Sequence, residues 1–358
     1  MANINNLGEN LLNQCLDKMI SKKNVFSTVL RVENSDASFS WTGVRGEMEA
    51  DSKYFIASVT KLYVTATVMA LVDEQKLSLD DKIANHLPSH YVEGLHILKG
   101  VDYSNKITVK HLISNTSGLR DYFFYKEKGK PSAASLLFEG KDDSWEFEKT
   151  IQYVKKTTPK FAPAKKNKAV YSDTNYQLLG KIIETITDKD IGAVFKEYIF
   201  DKLELCNTYV FKDILDREPV PNYYKDKKLW LPKYMASVSI EGGIVSTAEE
   251  VMIFLKAFFA GEFFPKEKIT HLKKWNFIPP PPSTLYYGIG LEKLFIPRII
   301  FSPFKPIGEI IGFWGQTGSF AWYNPITDLY FSGTTNQSSG VGHQAVVMSM
   351  IKIIKSVI

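Results

Sequence analysis

Cysteine is nearly absent from this 358-residue chain: Cys15 and Cys206 are the only two. Two thiols so far apart make neither a disulfide framework nor a zinc site, and both are expected as reduced, half-buried side chains. A long apolar run is missing too. The carboxy-terminal stretch HQAVVMSMIKIIKSVI is broken by Lys352 and Lys355, so it reads as a packed helix and no stable membrane insertion is expected. The amino terminus, MANINNLGENLLNQCLDKMIS, lacks the basic-then-apolar order and small-residue cleavage site of an export signal. A cytoplasmic location is the expectation. Nor does one charge dominate. Lys plus Arg number 44 against 39 Asp plus Glu, a scattered net +5 that supplies no nucleic-acid groove. Histidines number six. His86 and His90 have ligand-like spacing, but Pro88 breaks the helical face between them, so no metal is expected. G-x-S-x-G is absent, and YYGIGLE holds only two glycines of a dinucleotide fingerprint, so no cofactor is expected either.

What is present reads as an α+β chain. Leu11, Leu12, Cys15, Met19 and Ile20 recur at helical spacing, predicting an amphipathic helix over 7–21. NVFSTVLRVEN and ASFSWTGV, separated by NSDA, predict a β-hairpin, and a helix follows over about 58–75. From about 107 to 235 the helical segments ITVKHLISNTSGL, SWEFEKTIQYVKKT, TNYQLLGKIIETIT and DIGAVFKEYIFDKL dominate. Strands return in YYGIGLEKL, EIIGFWGQTGS and AWYNPITDLYFSGTTN, the last turning at NPITD. FIPPPPST, with prolines 279–282, predicts a stiff extended loop, since proline donates no ladder bond. This order predicts one domain of two lobes. A sheet drawn from both chain ends and flanked by helices (about 1–75 and 236–358) carries an inserted all-helical lobe (about 76–235). Ligand sites commonly lie where such lobes meet. The sequence says nothing of oligomeric state.

The chemistry begins at FIASVTKLYVTATVMALV, residues 55–72. On a helix, residues three apart share a face, so Ser58 and Lys61 can touch. A serine hydroxyl is a poor nucleophile unless a base takes its proton. Lysine is such a base only when its charge is disfavoured, as by a dry setting or a helix amino end. The competing reading is a helix cap at Ser58, against which a lysine three positions on opposes the macrodipole. Tyr171 and Asp173 stand in VYSDTNYQLLGKIIE at a loop-to-helix junction. Asp173 or Thr174 could cap that helix; alternatively Tyr171, as a phenolate stabilised by Lys61, could relay a proton. In FWGQTGSFAWYNP, Gly315 and Gly318 bracket Gln316 and Thr317 on an expected core strand, where glycine marks either a close approach by a ligand or a bend. Gly242 and Gly243 are expected in a turn before a helix capped by Ser246 or Thr247.

Ser58-Val-Thr-Lys61, Tyr171-Ser-Asp173 and Gln316-Thr-Gly318, in that order, resemble the serine β-lactamase and penicillin-binding superfamily, in its class C β-lactamase, DD-peptidase and esterase branch. LVDEQKLSLDDKIANHLP, ITVKHLISNTSGL, YSDTNYQLLGKIIE and EGGIVSTAEEVMIFLKAF resemble stretches of that branch as well. The resemblance implies a β-lactamase/transpeptidase-like fold and a serine hydrolase that forms an acyl-enzyme on a small-molecule ester, amide or lactam. Ser58 would attack, Lys61 with Tyr171 would move the proton, and the backbone N–H groups of Ser58 and Ser319 would form the oxyanion hole. Asp173, Gln316, Thr317 and Gly318 would contact substrate. Tyr122 and Trp322 are offered as pocket aromatics from a wider set that includes Phe123, Phe124, Tyr125, Tyr223, Tyr224 and Trp314.

Two departures bear on specificity. The family's second motif commonly ends in asparagine; Asp173 stands there instead, its role shifting towards orienting Lys61 by charge, with Asn175 a weaker stand-in. The third motif usually opens with lysine or histidine; Gln316 can hydrogen-bond a substrate carboxylate but cannot neutralise it. An esterase or D-amino-acid peptidase is therefore expected before a potent β-lactamase. Asp173 and Gln316 also favour a rival reading, a catalytically retired homologue that binds a ligand or partner through the same cleft.

Overall fold

The structure, a computed structural model, describes residues 7–166, 168–278, 285–297 and 306–358. The expected hairpin forms from strands Ser27–Asn34 and Ser40–Gly46. Its first strand pairs antiparallel with Leu329–Thr334 near the other end of the chain, so both ends do build one sheet. That sheet has eight strands. Its order is Asn276–Ile278, Leu285–Tyr287, Glu292–Leu294, Ile311–Trp314, Ser319–Asn324, Leu329–Thr334, Ser27–Asn34 and Ser40–Gly46, each pair antiparallel. NPITD makes the turn between the fifth and sixth, where Asn324 Oδ1 accepts from the Thr327 N–H at 2.9 Å.

Side chains alternate across the sheet as the two-residue strand period requires. Leu30, Val32, Phe320, Trp322, Leu329 and Phe331 share a core with the helices Glu9–Ile20 and Val341–Val357. Val29, Phe313, Ala321 and Tyr330 face the opposite way, into the larger core that holds the helices Thr60–Asp73 and Ala248–Ala260. Thr60–Asp73 has no polar face: every residue from Thr60 to Leu71 is buried, Lys61 among them. A helix apolar all round belongs in the interior, and this one carries its amino end to the middle of the molecule.

Three expectations change. The residues between the two sheet-forming segments are not all helical. Short strands occur there at Ile97–Leu98, Val101–Asp102, Tyr209–Val210, Asn222–Tyr224 and Lys227–Leu229; Tyr209–Val210 finds partners on Ile244–Ser246, a tertiary pairing that local helical pattern does not reveal. ITVKHLISNTSGL yields only a short helix, Val109–Ile113, because Asn115 turns the chain at φ 57°. The cysteines are not half-buried: Cys15 lies inside the core and Cys206 is exposed. The proline run 279–282 lies outside the described residues.

Candidate active site

The nucleophile turn comes first. Tyr54–Phe55 pairs with Ile244–Ser246, and the chain then enters a single 3-10 turn, Ala57–Val59, that runs into the helix Thr60–Asp73. Ala57 is held at φ 46°, a left-handed conformation uncommon for a residue with a Cβ. Ser58 follows it directly. The tight 3-10 geometry aligns residues three apart, and Lys61 Nζ donates to Ser58 Oγ at 2.9 Å. Ser58 is not a cap; no side chain caps either helical segment here.

The second element arrives from a distant loop. Asn115 holds it: its backbone carbonyl accepts from the Val170 N–H at 3.0 Å and its side-chain oxygen from the Ser172 N–H at 3.2 Å. This sets the Tyr171 hydroxyl 2.8 Å from Ser58 Oγ. Asp173 opens the helix Asp173–Thr187 without capping it through its side chain. Its carboxylate lies 2.7 Å from Lys61 Nζ, a close ion pair without the alignment of a full hydrogen bond. Thr174 instead ties to the Arg120 carbonyl at 2.8 Å, and Asn175 is buried in a bond to Asn115 at 2.7 Å, away from the cleft. The remaining Lys61 donor goes to the Glu241 carbonyl at 2.8 Å.

The third motif is a turn and not a strand. Gly315–Gly318 links Ile311–Trp314 to Ser319–Asn324, with the Gly318 N–H on the Gly315 carbonyl at 3.0 Å. A Cβ at Gly315 would strike the Ile56 carbonyl, and Gly318 sits at φ 88° against Thr335 and Gln337. The close approach that glycine permits is thus by the protein's own nucleophile turn. Thr317 Oγ1 and Ser319 Oγ bond the Phe55 and Ile56 carbonyls, each at 2.6 Å, so this turn and the Ser58 turn are stitched together. Gln316 gives its amide to the Ser338 carbonyl at 2.7 Å.

These elements meet at a cleft of about 360 Å³ whose lining includes Ser58, Tyr171, Asp173, Gln316 and Thr317. Of the expected aromatics, Phe123, Phe124 and Trp314 line it. Trp322 does not. It lies mid-strand in the terminal-helix core, fully buried behind Trp314. Tyr122 is also fully buried; it stacks on Trp145 and donates to Glu241 from behind the cleft wall.

Electrostatics set the resting state. Tyr171 keeps an edge towards the cleft, yet the protein packed around it disfavours the phenolate, and the charges of Asp173 and Glu292 add to that. The expected phenolate is therefore replaced by a neutral phenol. Sequence reading missed three acids here. Glu241 and Glu292 line the cleft, and Asp121 accepts from the Asp173 N–H at 2.9 Å behind it. Burial pushes Asp121 up to about 7 and Glu292 up to about 8, and holds Glu241 well above the carboxylate range. Isolated Glu residues in EGG and GLEKL carried no periodic signal to flag them. His343, also missed, lines the cleft, bonds the Gly315 carbonyl at 3.1 Å and is pushed down to about 4 by burial, so it stays neutral. Thr247, not Ser246, caps the helix after Gly243.

Comparison with known proteins bears on the fold and the family. The N-acetylmuramyl-L-alanine amidase of Bacillus subtilis is 31% identical over 163 residues, 45% of this chain and 34% of that protein, so the match spans about a third of the relative's length. A D-stereospecific amidohydrolase from Streptomyces superposes with a TM-score of 0.79 at 23% identity, covering 96% of this chain and 98% of the other. The D-amino acid amidase of Ochrobactrum anthropi SV3 does so with a TM-score of 0.76 at 19% identity and 97% coverage of each. The two solved structures share the β-lactamase/transpeptidase-like fold with this chain. The sequence profile described as Beta-lactamase matches residues 26–347, and the chain belongs to the Beta-lactamase family.

Proposed function

We propose that the protein is a serine hydrolase that forms an acyl-enzyme on Ser58 with small esters or amides whose acyl group is apolar. The observation that carries this is the Ser58 hydroxyl, bonded at once to Lys61 Nζ and Tyr171 and open to an apolar cleft. Lys61 donates to Ser58 and is paired with Asp173, so it acts as a fixed positive charge beside the developing alkoxide. The proton takes another route. As Ser58 Oγ bonds to the substrate carbonyl carbon, its proton passes to the Tyr171 oxygen; the Tyr171 proton passes to the leaving oxygen or nitrogen as the bond from that atom to the carbonyl carbon breaks, and no phenolate accumulates. Water, relayed the same way, then releases the acid and restores Ser58. The Ser58 and Ser319 N–H groups are assigned to the carbonyl oxygen, each worth on the order of 3 kcal/mol at the barrier. Asp173, Gln316, Thr317 and Gly318 are assigned to substrate contact.

Two observations favour esters and amides over carboxylate-bearing lactams and peptides. Among the described residues the cleft lining includes no lysine or arginine, and the Gln316 amide is already given to Ser338. A fluorophosphonate probe tests the reading against the retired-homologue alternative. Labelling between about pH 6 and 10 that vanishes in Ser58→Ala is expected, with hydrolysis of a p-nitrophenyl ester falling at least about a thousandfold in that variant. Absence of labelling and turnover across that range overturns it. Gln316→Lys is expected to raise nitrocefin turnover about tenfold relative to the ester, since it adds the missing charge partner.

A further inference from the structure

We infer that the cleft contains an ammonium subsite, formed by the carboxyl groups of Glu241 and Asp173, which takes a free primary amine on the acyl part of the substrate. This rests on the hydrolase reading above and names a feature of its substrate. The charge inventory points that way. Asp173, Glu241 and Glu292 line the cleft, Asp121 lies behind it, and Lys61 is the buried cation set against them. Lys61 is fully engaged with Ser58, Asp173 and the Glu241 carbonyl.

Glu241 supplies the independent observation. It is 3% exposed, one carboxyl oxygen accepts from Tyr122, and the other, Oε2, is buried with no hydrogen-bond partner. A buried oxygen of that kind is destabilising until a partner reaches it. Its place is beside the reacting centre: Lys61 donates both to the Glu241 carbonyl and to Ser58 Oγ, and Glu241 and Ser58 line the same cleft. A substrate ammonium brings three donors to these carboxyl oxygens; a substrate carboxylate brings only acceptors and would set its charge beside Asp173 with no free cation among the described lining residues to pair it. Asp173, Lys61, Tyr122, Gln177 and Tyr234 are the charged or polar groups that bear on Glu241. Burial favours the protonated form of this carboxyl; a substrate amine arriving neutral takes that proton from Glu241 and is held as an ammonium against the carboxylate it leaves behind, with no proton left over.

Two matched pairs test this. 2-Phenylethylamine and 2-phenylethanol, compared by calorimetry, differ only in the charged group. The amine is expected to bind at least about tenfold tighter, and Glu241→Gln, checked for folding by circular dichroism, is expected to erase most of that advantage. Phenylalanine p-nitroanilide, in both enantiomers, and 3-phenylpropanoyl p-nitroanilide extend the comparison to turnover; the kcat/KM ratio of amine to des-amino substrate should fall at least about fivefold in Glu241→Gln. Equal binding of the first pair to unaltered protein overturns the subsite, even where both anilides are hydrolysed. An amine preference that persists in Glu241→Gln overturns the assignment to Glu241. Failure to hydrolyse either anilide, with the amine still preferred in binding, overturns the hydrolase reading and upholds the subsite.

Discussion

The two faces of the eight-stranded sheet are built from the same strands and do opposite things. Along Ser319–Asn324, Phe320 and Trp322 enter a core with the terminal helices, while Ser319 and Ala321 face the side where Ser58 stands. The terminal-helix face gathers one apolar core between the sheet and its two helices. The other face buries a lysine and four carboxyl groups close together. Burying charge is unfavourable unless it is paired, and one lysine cannot pair four acids, so three of them are held above the usual carboxylate range. The terminal-helix face draws its stability from apolar packing. The other tolerates a frustrated set of charges because the apolar helix Thr60–Asp73 and its surroundings hold them in place.

This contrast can be broken experimentally. The largest effect is expected from Phe331→Ala, which empties a fully buried position on the terminal-helix face. It should destabilise the protein by about 3–5 kcal/mol in denaturant unfolding while leaving ester kcat/KM within about twofold. A proportionate loss of activity in the folded protein would show that the faces are not independent. Glu292→Gln comes next. Its carboxyl sits at about 8 in the folded protein against an ordinary 4.5, so between those values the folded chain carries a proton that the unfolded chain has released. Stability then falls as pH rises through that window, being fully present below it. The variant cannot ionise, so its melting temperature should decline less between about pH 5 and 9, by the equivalent of a few kcal/mol. Asp121, at about 7, leaves a residual slope. An unaltered slope in the variant would remove Glu292 from the account. The smallest effect belongs to Phe124→Ala. This ring is 50% exposed at the cleft, and its loss should raise KM for an aromatic acyl ester about threefold while sparing a p-nitrophenyl acetate control.

Much of the site was legible before any coordinates. Ser58 and Lys61 at a three-residue spacing, Tyr171 before a helix, and Gln316 and Thr317 between glycines do converge within hydrogen-bond reach of one another's turns. What misled was one-dimensional context. Trp322 and Trp314 both sit in an aromatic-rich run and share one side of the sheet, yet Trp322 is buried mid-strand in the terminal-helix core while Trp314, at the strand end beside the Gly315–Gly318 turn, reaches the cleft. Tyr122, next to two residues that do line the cleft, turns inward to Glu241. The expected phenolate failed for a related reason: whether a phenol ionises depends on everything packed around it, and two of the groups that matter, Asp173 and Glu292, are near it only in the fold.

The sequence by itself determined the chemistry on offer: a serine and a lysine one helical turn apart, a tyrosine before a helix, an acid where an amide is common and a glutamine where a cation is common. Local spacing fixes such pairs because three residues span one turn. Only the tertiary structure decided which groups carry charge. Glu241, Glu292 and Asp121 come from three separate parts of the chain, and each acquires its character chiefly by losing water to burial, an energy that exists only once the chain has closed around them.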